Sequence, residues 1–349
     1  MSLFDLLKKT KIYDMFDIKL KFNRAMHSLR KTTKLDAVKI STYLNINSLS
    51  TDDKIRYLSQ VFYRYAGYYP NFKHPRSFNE KLNWIRFNFK DLEPVSICNK
   101  LFFKQYVEDK LGPGYTAKLL RVFDDVADLD FEGLPEKFVV KTTFGFGAKA
   151  VKIIKEKSKV NLDEIKFQLS ETMNPWEYTM DQGLFRKEPT VFKVFAEEYI
   201  ESEDGQLTDY KFLCFHGEPK MVIAICDREK GKYSIAYYDT DWNKLDLKIG
   251  NYKNKDVKKP KNFDKMIEIA KKLSAEYPFV RVDLYNVDGK IFAGELTFIP
   301  AGAMSKFKPV EWDYKIGEWL DLSKIDSKFL NILPEFAEDA KVFMNSRKK

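Results

Sequence analysis

Residues 278–300 read PFVRVDLYNVDGKIFAGELTFIP and predict a β-hairpin that turns at its Asp-Gly pair. Side chains two positions apart along a strand share one face, so Arg281 and Asp283 lie together on the first strand. By the same rule Glu295 and Thr297 lie together on the returning strand. If the hairpin brings the two pairs together, a cation, two carboxylates and a hydroxyl converge.

This convergence has two interpretations. Neighbouring carboxylates such as Asp283 and Glu295 suit Mg²⁺, which binds carboxylates together with substrate phosphates. An exposed cross-strand ion pair of small energetic weight gives the same pattern. The hairpin by itself leaves both interpretations open.

A second segment, residues 137–154, reads KFVVKTTFGFGAKAVKII. Lys141 ends an apolar strand, and Gly145 and Gly147 follow in the loop before a second strand returns. Small residues let backbone N–H groups approach phosphate oxygens, and the lysine adds a positive charge. The loop is not a Walker A loop, because no Gly-Lys-Ser/Thr opens a helix. A plain hairpin with glycines in its turn would look the same.

Two further strands carry charged residues near their ends. In AEEYIES, residues 196–202, two Glu precede an aromatic residue and Ile, where backbone groups can meet a planar ring. In DYKFLCF, residues 209–215, Asp209 and Lys211 share a face, and Arg228 ends the next strand. Basic groups there suit a phosphate or an acyl phosphate. An ordinary strand end and surface ion pairs explain each piece separately.

Composition narrows the function classes. The chain has 349 residues, 44% of them hydrophobic, which is enough to bury a sizeable core. Its net charge of +9 favours anionic partners. Three scattered cysteines argue against a disulfide scaffold and indicate a reducing compartment, and three histidines exclude a His-rich metal site. No apolar run is long enough to span a bilayer and the start lacks the order of a secretory signal, so we expect a cytoplasmic protein.

The chain changes character near residue 118. The part before it is predicted to be mostly helical, with helices over 51–67, after a capping box at Ser77 and Glu80, and over 96–112. We expect Thr51 or Asp52 to cap the first helix. The part after it is a series of short strands interrupted by helices at 162–173 and 263–277, which predicts an α+β fold.

The N-terminal residues are strongly basic. Residues 1–40 carry ten Lys and Arg against four Asp, a net charge of +6, with apolar residues at roughly helical spacing. A basic amphipathic helix packed on the body or in a homodimer is the favoured interpretation. The alternative is a helix on an anionic membrane surface, which would make the protein peripheral at the inner membrane face.

In their order along the chain, these pieces resemble the ATP-grasp superfamily. The finer resemblance is to its TupA-like branch, which is associated with teichuronopeptide and other bacterial surface polysaccharides. The segments that carry it are PRSFNEKLNW (75–84), NKLFFKQYV (99–107), LPEKFVVK (134–141), DYKFLCFHG (209–217), DR (227–228), YYDTDW (237–242) and FVRVDLY with GELTF (279–298). The resemblance covers about residues 60–325.

The resemblance implies an ATP-grasp fold, in which two sheet-containing lobes clamp ATP, here preceded by a mostly helical N-terminal region. The expected divisions are a basic helical extension (1–50), a helical and α+β subdomain (51–135), a small lobe with the glycine loop (136–196), a large lobe with the Mg²⁺ site (197–330) and a C-terminal tail helix (331–349).

It also implies roles for individual residues. Those implied to bind ATP are Lys100 and Lys141 at the phosphates, Gly145 and Gly147 in the loop, Glu197, Glu198 and Ile200 around the adenine, and Asp204 or Glu201 at the ribose. Those implied at the metal are Asp283, Glu295 and Thr297, the last of which replaces an Asn found in many ATP-grasp enzymes. Those implied to stabilise charge on the reacting groups are Arg281, Arg228 and Lys211.

The implied function is that of a ligase that phosphorylates a carboxylate with Mg-ATP and joins the acyl phosphate to an amine. The family association suggests amide formation between a uronic acid, free or as a nucleotide-sugar, and an amino acid or amino alcohol. A sugar phosphotransferase and a non-catalytic partner of a glycosyltransferase are the alternatives. Nucleic acid is not an expected partner, because the sequence holds no nucleic-acid motif.

Overall fold

The computed structural model describes residues 50–89, 99–143, 150–170, 193–201, 207–226, 234–250 and 252–344. The chain forms two compact units, Met1–Pro70 with Asn174–Glu188, and Asn71–Met173 with Pro189–Lys349. None of the helices in these described residues has the length and apolar character needed to cross a bilayer.

The described part of the first unit contains helix α1 (Thr51–Ala66). Its N-cap is Ser50, whose hydroxyl accepts a hydrogen bond from the Asp53 N–H at 3.2 Å. The sequence-based expectation of a cap at Thr51 or Asp52 is therefore wrong by one or two positions, because all of these side chains are able to cap. The helix ends as expected at Gly67, which has a left-handed φ of 93°.

Helix α2 (Phe78–Asn88) opens the second unit with the predicted capping box. The Ser77 hydroxyl accepts from the Glu80 N–H at 3.1 Å, and the Glu80 carboxylate accepts from the Ser77 N–H at 2.9 Å. Helix α3 (Lys100–Leu111) begins after an Asn99 cap and stops, as predicted, at the glycine that follows.

A four-stranded antiparallel sheet forms the small lobe. Its strands are β1 (Leu119–Phe123), β2 (Phe138–Thr142), β3 (Val151–Ile154) and, after helix α4 (Leu162–Ser170), β4 (Val194–Glu198), in the order β1-β4-β2-β3. One face of the sheet is apolar and packs with the buried Leu169 of α4 into a hydrophobic core. Its core residues from the strands are Phe123, Phe138, Val140, Ile154, Val194 and Ala196. The opposite face carries the side chains that concern function.

A five-stranded antiparallel sheet forms the large lobe. Its strands are β5 (Asp209–Phe215), β6 (Glu218–Cys226) and β7 (Ser234–Tyr238), and, after the short β8 (Lys248–Ile249) and helix α5 (Phe263–Ser274), β9 (Phe279–Val287) and β10 (Lys290–Thr297). The order is β10-β9-β5-β6-β7. Helix α5 packs against β5, β6 and β9, where its Phe263 stacks on Phe212. The other face of this sheet is therefore the one left for function.

The β9–β10 hairpin is confirmed, and it contains one feature that simple alternation does not show. Its turn at Asp288 and Gly289 has φ values of 54° and 101°, as a two-residue hairpin turn requires. The pairing register then shifts by one residue at Gly294. This β-bulge puts Glu295 on the same face as Phe292, where straight alternation would have separated them. A Cβ at Gly294 would lie 2.8 Å from the ring of Tyr285, so glycine fits the bulge.

After β10 the chain forms a tight turn (Pro300–Ala303), inside which Ala301 and Gly302 have non-helical backbone angles, and strand β11 (Phe307–Lys308), which pairs with β8. Helices α6 (Glu311–Trp319) and α7 (Ala337–Met344) follow. The two helices predicted between strands are also present, with α5 ending at Ser274 rather than at residue 277. For α4 the described residues end at Ser170.

Candidate active site

Residues of both sheets line one open cleft. The small sheet supplies Val139, Lys141, Val151, Ile153, Phe195 and Glu197, and the large sheet supplies Tyr285, Phe292, Ala293 and Gly294. Helix α3 adds Lys100, Phe103 and Lys104. Most of these side chains are apolar, and three lysines and a glutamate stand among them.

A buried charge cluster lies on the small-lobe side of the cleft. Lys141 and Glu197 lie on one face of the paired strands β2 and β4, and the Glu197 carboxylate is only 5% exposed. Lys104 places its Nζ 2.7 Å from Glu197 Oε2, and Lys141 pairs with the other oxygen, Oε1. Lys104 also donates to the carbonyl of Ala117 at 2.7 Å. One carboxylate therefore orients two ammonium groups.

The electrostatics of this cluster suit an anionic ligand. Burial alone raises the pKa of Glu197, but Lys141 and Lys104 outweigh burial and hold that pKa below its ordinary value. Burial is also the main reason why the pKa of Lys104 is lowered. With both lysines protonated, the cluster carries one net positive charge in a largely apolar cleft. A phosphate group would complete the charge balance.

Sequence reasoning missed Lys104. It named Lys100 instead, which begins α3 and also lines the cleft, with its backbone N–H donating to the Thr143 carbonyl at 3.0 Å. Lys104 lies one helical turn further along, so the two lysines share one side of α3. The spacing of four residues was the signal in the sequence that Lys104 accompanies Lys100. It was not sufficient, because Glu197, the partner of Lys104, comes from a strand far along the chain.

A second charge cluster lies on the functional face of the large sheet. Arg281 holds Asp283 through two hydrogen bonds, Nε to Oδ1 at 2.6 Å and Nη2 to Oδ2 at 2.7 Å. Its Nη2 also reaches Glu295 Oε1 at 3.1 Å and Thr297 Oγ1 at 2.9 Å. The structure thus brings together the four residues of the predicted hairpin. Asp283 is only 2% exposed, so an ordinary solvent-exposed ion pair does not describe it.

Strand β5 extends this cluster into a row of alternating charge. Lys211 lies opposite Asp283 in register and pairs with it, and its Nζ is 3.0 Å from Asp209 Oδ2. Across the sheet the row runs Asp209, Lys211, Asp283, Arg281, Glu295. Burial alone raises the pKa of Asp283, but Arg281 and Lys211 outweigh it and hold that pKa below its ordinary value. Cations therefore keep this buried carboxylate ionised.

The oxygen donors in this row are of the chemical type that Mg²⁺ binds together with a phosphate, and both oxygens of Asp283 are engaged by Arg281 and Lys211. Asp283 and Glu295 face each other in register, and Thr297 Oγ1 is 3.3 Å from Glu295 Oε1. Two carboxylates plus substrate phosphates are a common Mg²⁺ environment. Within the described part of the chain, no group of three or more His, Cys, Asp or Glu side chains is arranged to hold a metal.

Of the remaining sequence-predicted residues, three lie in the described part of the chain and four lie outside it. Glu198 and Ile200 line the cleft, as the resemblance implied for residues beside a planar base. Glu201, one of the two ribose candidates, pairs with Lys137 at 2.8 Å. The others lie outside the described residues, namely Gly145, Gly147, Asp204 and Arg228. Residues 1–49, the predicted basic extension, lie outside them as well.

Comparison with known proteins gives one family match. A family model described as TupA-like ATPgrasp matches residues 80–321, which is 242 of the 349 residues. No curated protein matches the sequence. The matched range contains both large sheets and all the members of the two charge clusters.

Solved structures give distant similarities. The D-alanine–D-alanine ligase of Bacillus anthracis complexed with ATP is 16% identical, with a TM-score of 0.34 over 59% of this chain and 54% of that one. The Helicobacter pylori D-alanine–D-alanine ligase is 17% identical, with a TM-score of 0.38 over 70% and 68%. A carboxyaminoimidazole ribonucleotide synthase from Aspergillus clavatus complexed with ATP is 11% identical, with a TM-score of 0.34 over 58% and 45%. The chain thus spans about half the length of the first and third of these enzymes.

Proposed function

This chain belongs to the TupA-like ATP-grasp family and has the α+β ATP-grasp fold, and from that premise we propose that it is an ATP-dependent ligase. In the proposed reaction a carboxylate is activated as an acyl phosphate and then joined to an amine. The observation that carries the proposal is the cleft, in which an apolar pocket adjoins the lysine cluster, together with the charge row on the same face of the large sheet as Tyr285, which lines that cleft.

The apolar part of the cleft suits the adenine base. Val139, Ile153 and Phe195 form one wall, and Tyr285 and Phe292 form the other. Aromatic and aliphatic walls bury a planar ring well, and the backbone beside it supplies hydrogen-bond partners. The base is therefore assigned to this end, beside the strand that ends in Glu198.

The phosphates are assigned to the space between the two charge clusters. Lys104 and Lys141 supply charge from the small lobe, where Glu197 already orients them. Asp283 and Glu295, with Thr297, would hold Mg²⁺ from the large lobe. Bound there, the ion neutralises charge on the phosphate oxygens and fixes their geometry.

The row on the large sheet then serves the chemistry. Arg281 and Lys211 are held rigidly by buried carboxylates, so their charge is placed before the reaction begins. A substrate carboxylate oxygen attacks the γ-phosphorus and ADP leaves, which gives the acyl phosphate. The amine nitrogen then attacks the acyl carbon to form the C–N bond and gives up a proton to solvent, and inorganic phosphate leaves with the electron pair of the broken C–O bond. Fixed cations stabilise the negative charge that develops in each step.

We assign the acid to the uronic acids, free or nucleotide-linked, and the amine to amino acids or amino alcohols. Support comes from the resemblance noted in the sequence to a branch associated with surface polysaccharides, and from the chain's net charge of +9, which attracts an acidic substrate. Both assignments are narrower than the family match itself.

The test is product analysis with purified protein and Mg-ATP. The acids are D-glucuronate, D-galacturonate and their UDP-linked forms, and the amines are glycine, alanine, glutamate and ethanolamine. We expect ADP, phosphate and a product with the mass of acid plus amine minus water, formed only when both substrates are present. A stable phosphorylated sugar formed without amine would instead identify a phosphotransferase.

Matched variants connect the reaction to the site. Asp283→Asn and Glu295→Gln should abolish product formation. Glu276→Gln, which removes a surface partner of Lys110, should leave it unchanged. Nucleotide binding without any turnover in the wild type would identify a non-catalytic protein and contradict the ligase proposal.

A further inference from the structure

The loop that follows β10, residues 299–305, adopts an unusual backbone conformation. Its three consecutive residues Ala301, Gly302 and Ala303 have φ values of 49°, 64° and 56°. Left-handed backbone is common for glycine but uncommon and strained for alanine. Such strain persists only where the surroundings over-determine the conformation, and it clusters at functional sites.

The surroundings here are a polar stripe on helix α2. Asn79, Asn83 and Arg86 are spaced at i, i+4 and i+7, which puts them on one side of the helix. They are buried, at 1%, 0% and 3% exposure. Arg86 Nη1 also donates to Asn83 Oδ1 at 3.0 Å, so the stripe is connected along its length. Buried polar side chains need partners, and each of these three has one in the loop.

Each member of the stripe bonds a different backbone group of the loop. The bonds to carbonyl oxygens are Asn79 Nδ2 to Ser305 at 2.8 Å, Asn83 Nδ2 to Ala303 at 2.9 Å and Arg86 Nη2 to Gly302 at 2.9 Å. In return the Ser305 N–H donates to Asn79 Oδ1 at 3.1 Å. Asn79 is itself fixed by the buried Asp313, at 2.6 Å. The stripe thus holds the loop at three points, Gly302, Ala303 and Ser305.

Loop 299–305 follows the strand that carries several of the candidate site residues. Along β10, Phe292 lines the apolar part of the cleft, Glu295 and Thr297 belong to the charge row, and the loop begins two residues later. The strand from Phe292 to Thr297 is about 15 Å long, comparable with an extended nucleoside triphosphate. With the base at Phe292, the transferring phosphoryl group lies at the loop end of β10. In that arrangement the carboxylate that receives it lies beside the loop.

We propose that Asn79, Asn83 and Arg86 are positioning residues that fix loop 299–305 for binding of the acceptor carboxylate rather than of ATP. This inference rests on the proposed ligase function. The stripe does not touch the reacting atoms. It acts through the loop, whose strained conformation it holds.

The first experiment tests the positioning itself, with hydrogen–deuterium exchange on the full chain. Arg86→Lys keeps the positive charge but loses the planar guanidinium group and its additional N–H donors. In this variant, peptides covering 299–307 should exchange faster than in the wild type. Peptides covering 279–297 should be unchanged. Asn88→Ser is the matched control on the same helix, because Asn88 bonds Trp84 and Leu333 instead of the loop. Unchanged loop exchange in Arg86→Lys would overturn the proposal.

The second experiment separates the two substrates by steady-state kinetics, with D-glucuronate as probe acid, glycine as probe amine and Mg-ATP. In Arg86→Lys the KM for the acid should rise by roughly tenfold or more, because small misplacements of substrate-positioning groups have large effects. The KM for ATP should stay within about twofold of wild type, since the loop lies beyond the nucleotide. Equal rises in both KM values would indicate a general structural defect and overturn the proposal.

A second variant covers the case in which Arg86→Lys does not fold. Ala301 is exposed, and Ala301→Val adds a β-branched side chain that disfavours the left-handed backbone more than alanine does, without touching α2. It should show the same rise in the KM for the acid, and no rise would count against the proposal. A wild-type protein that turns over no acid and amine pair would refute the ligase function, whereas the exchange experiment would still decide whether the stripe positions the loop.

Discussion

Replacing Lys104 with methionine is the sharpest test of the lysine cluster. The Lys104 ammonium lies 2.7 Å from Glu197 and faces the cleft beside Lys141. Methionine keeps an unbranched apolar chain of similar length, so the change removes the charge with little change in packing. The nucleotide phosphates then lose one of the two ammonium groups that Glu197 orients.

The magnitude follows from the charge on both partners. A hydrogen bond to a charged group contributes about 1.5–3 kcal/mol, and each 1.4 kcal/mol is tenfold in affinity. Lys104→Met should therefore weaken binding of Mg-AMP-PNP by about 10- to 150-fold. Isothermal titration calorimetry measures this directly on the purified chain. Lys110→Met is the matched control, because Lys110 lies on the same helix in an exposed pair with Glu276 and should change affinity by less than about twofold.

One result would refute this reasoning. If Lys104→Met binds Mg-AMP-PNP like the wild type and Lys100→Met does not, the phosphate site lies at the lysine that the sequence pattern named. The Lys104–Glu197 pair would then be a structural contact, visible as a lower melting temperature without a change in affinity.

Three further outcomes are expected. The pKa of Glu197 is held below its ordinary value of 4.5. The ion pairs of Glu197 therefore stabilise the fold above pH 4.5, and this stabilisation is lost as pH falls through the pKa of the folded state. The difference in melting temperature between wild type and Glu197→Gln should accordingly narrow below pH 4.5. Gly294→Ala should lower the free energy of unfolding by about 1–3 kcal/mol in urea denaturation, since the added Cβ would lie 2.8 Å from the Tyr285 ring and overpacking carries a cost of that size. Ser77→Ala should lower the free energy of unfolding of the second unit by about 1 kcal/mol in urea denaturation, because it removes the cap of α2.

Local features of the fold were predictable from sequence. The hairpin with its Asp288-Gly289 turn and the capping box at Ser77 depend on residues that are close together along the chain. The pairing of Arg281 with Asp283 follows from alternation along one strand. Each of these follows from short-range geometry, which a sequence pattern records directly.

Features that depend on distant partners were not predictable. Lys104 gains its role from Glu197, which comes from a strand more than ninety residues later. The bulge at Gly294 reverses the alternation of side chains between the two sheet faces that the letters FAGELT predict. A glycine in the sequence does not by itself reveal that a bulge is present. The strained loop is fixed by α2, whose Asn83 bonds a carbonyl 220 residues away. Tertiary packing decides these three features.

The most direct test of the shared cleft is a crystal structure with Mg-AMP-PNP. We expect the adenine ring between Ile153 and Phe292, and the phosphate chain between Lys141 and Glu295 with Mg²⁺ on the carboxylate. A nucleotide bound elsewhere, or one whose phosphates point away from Glu295, would contradict the assignment of both charge clusters to one site.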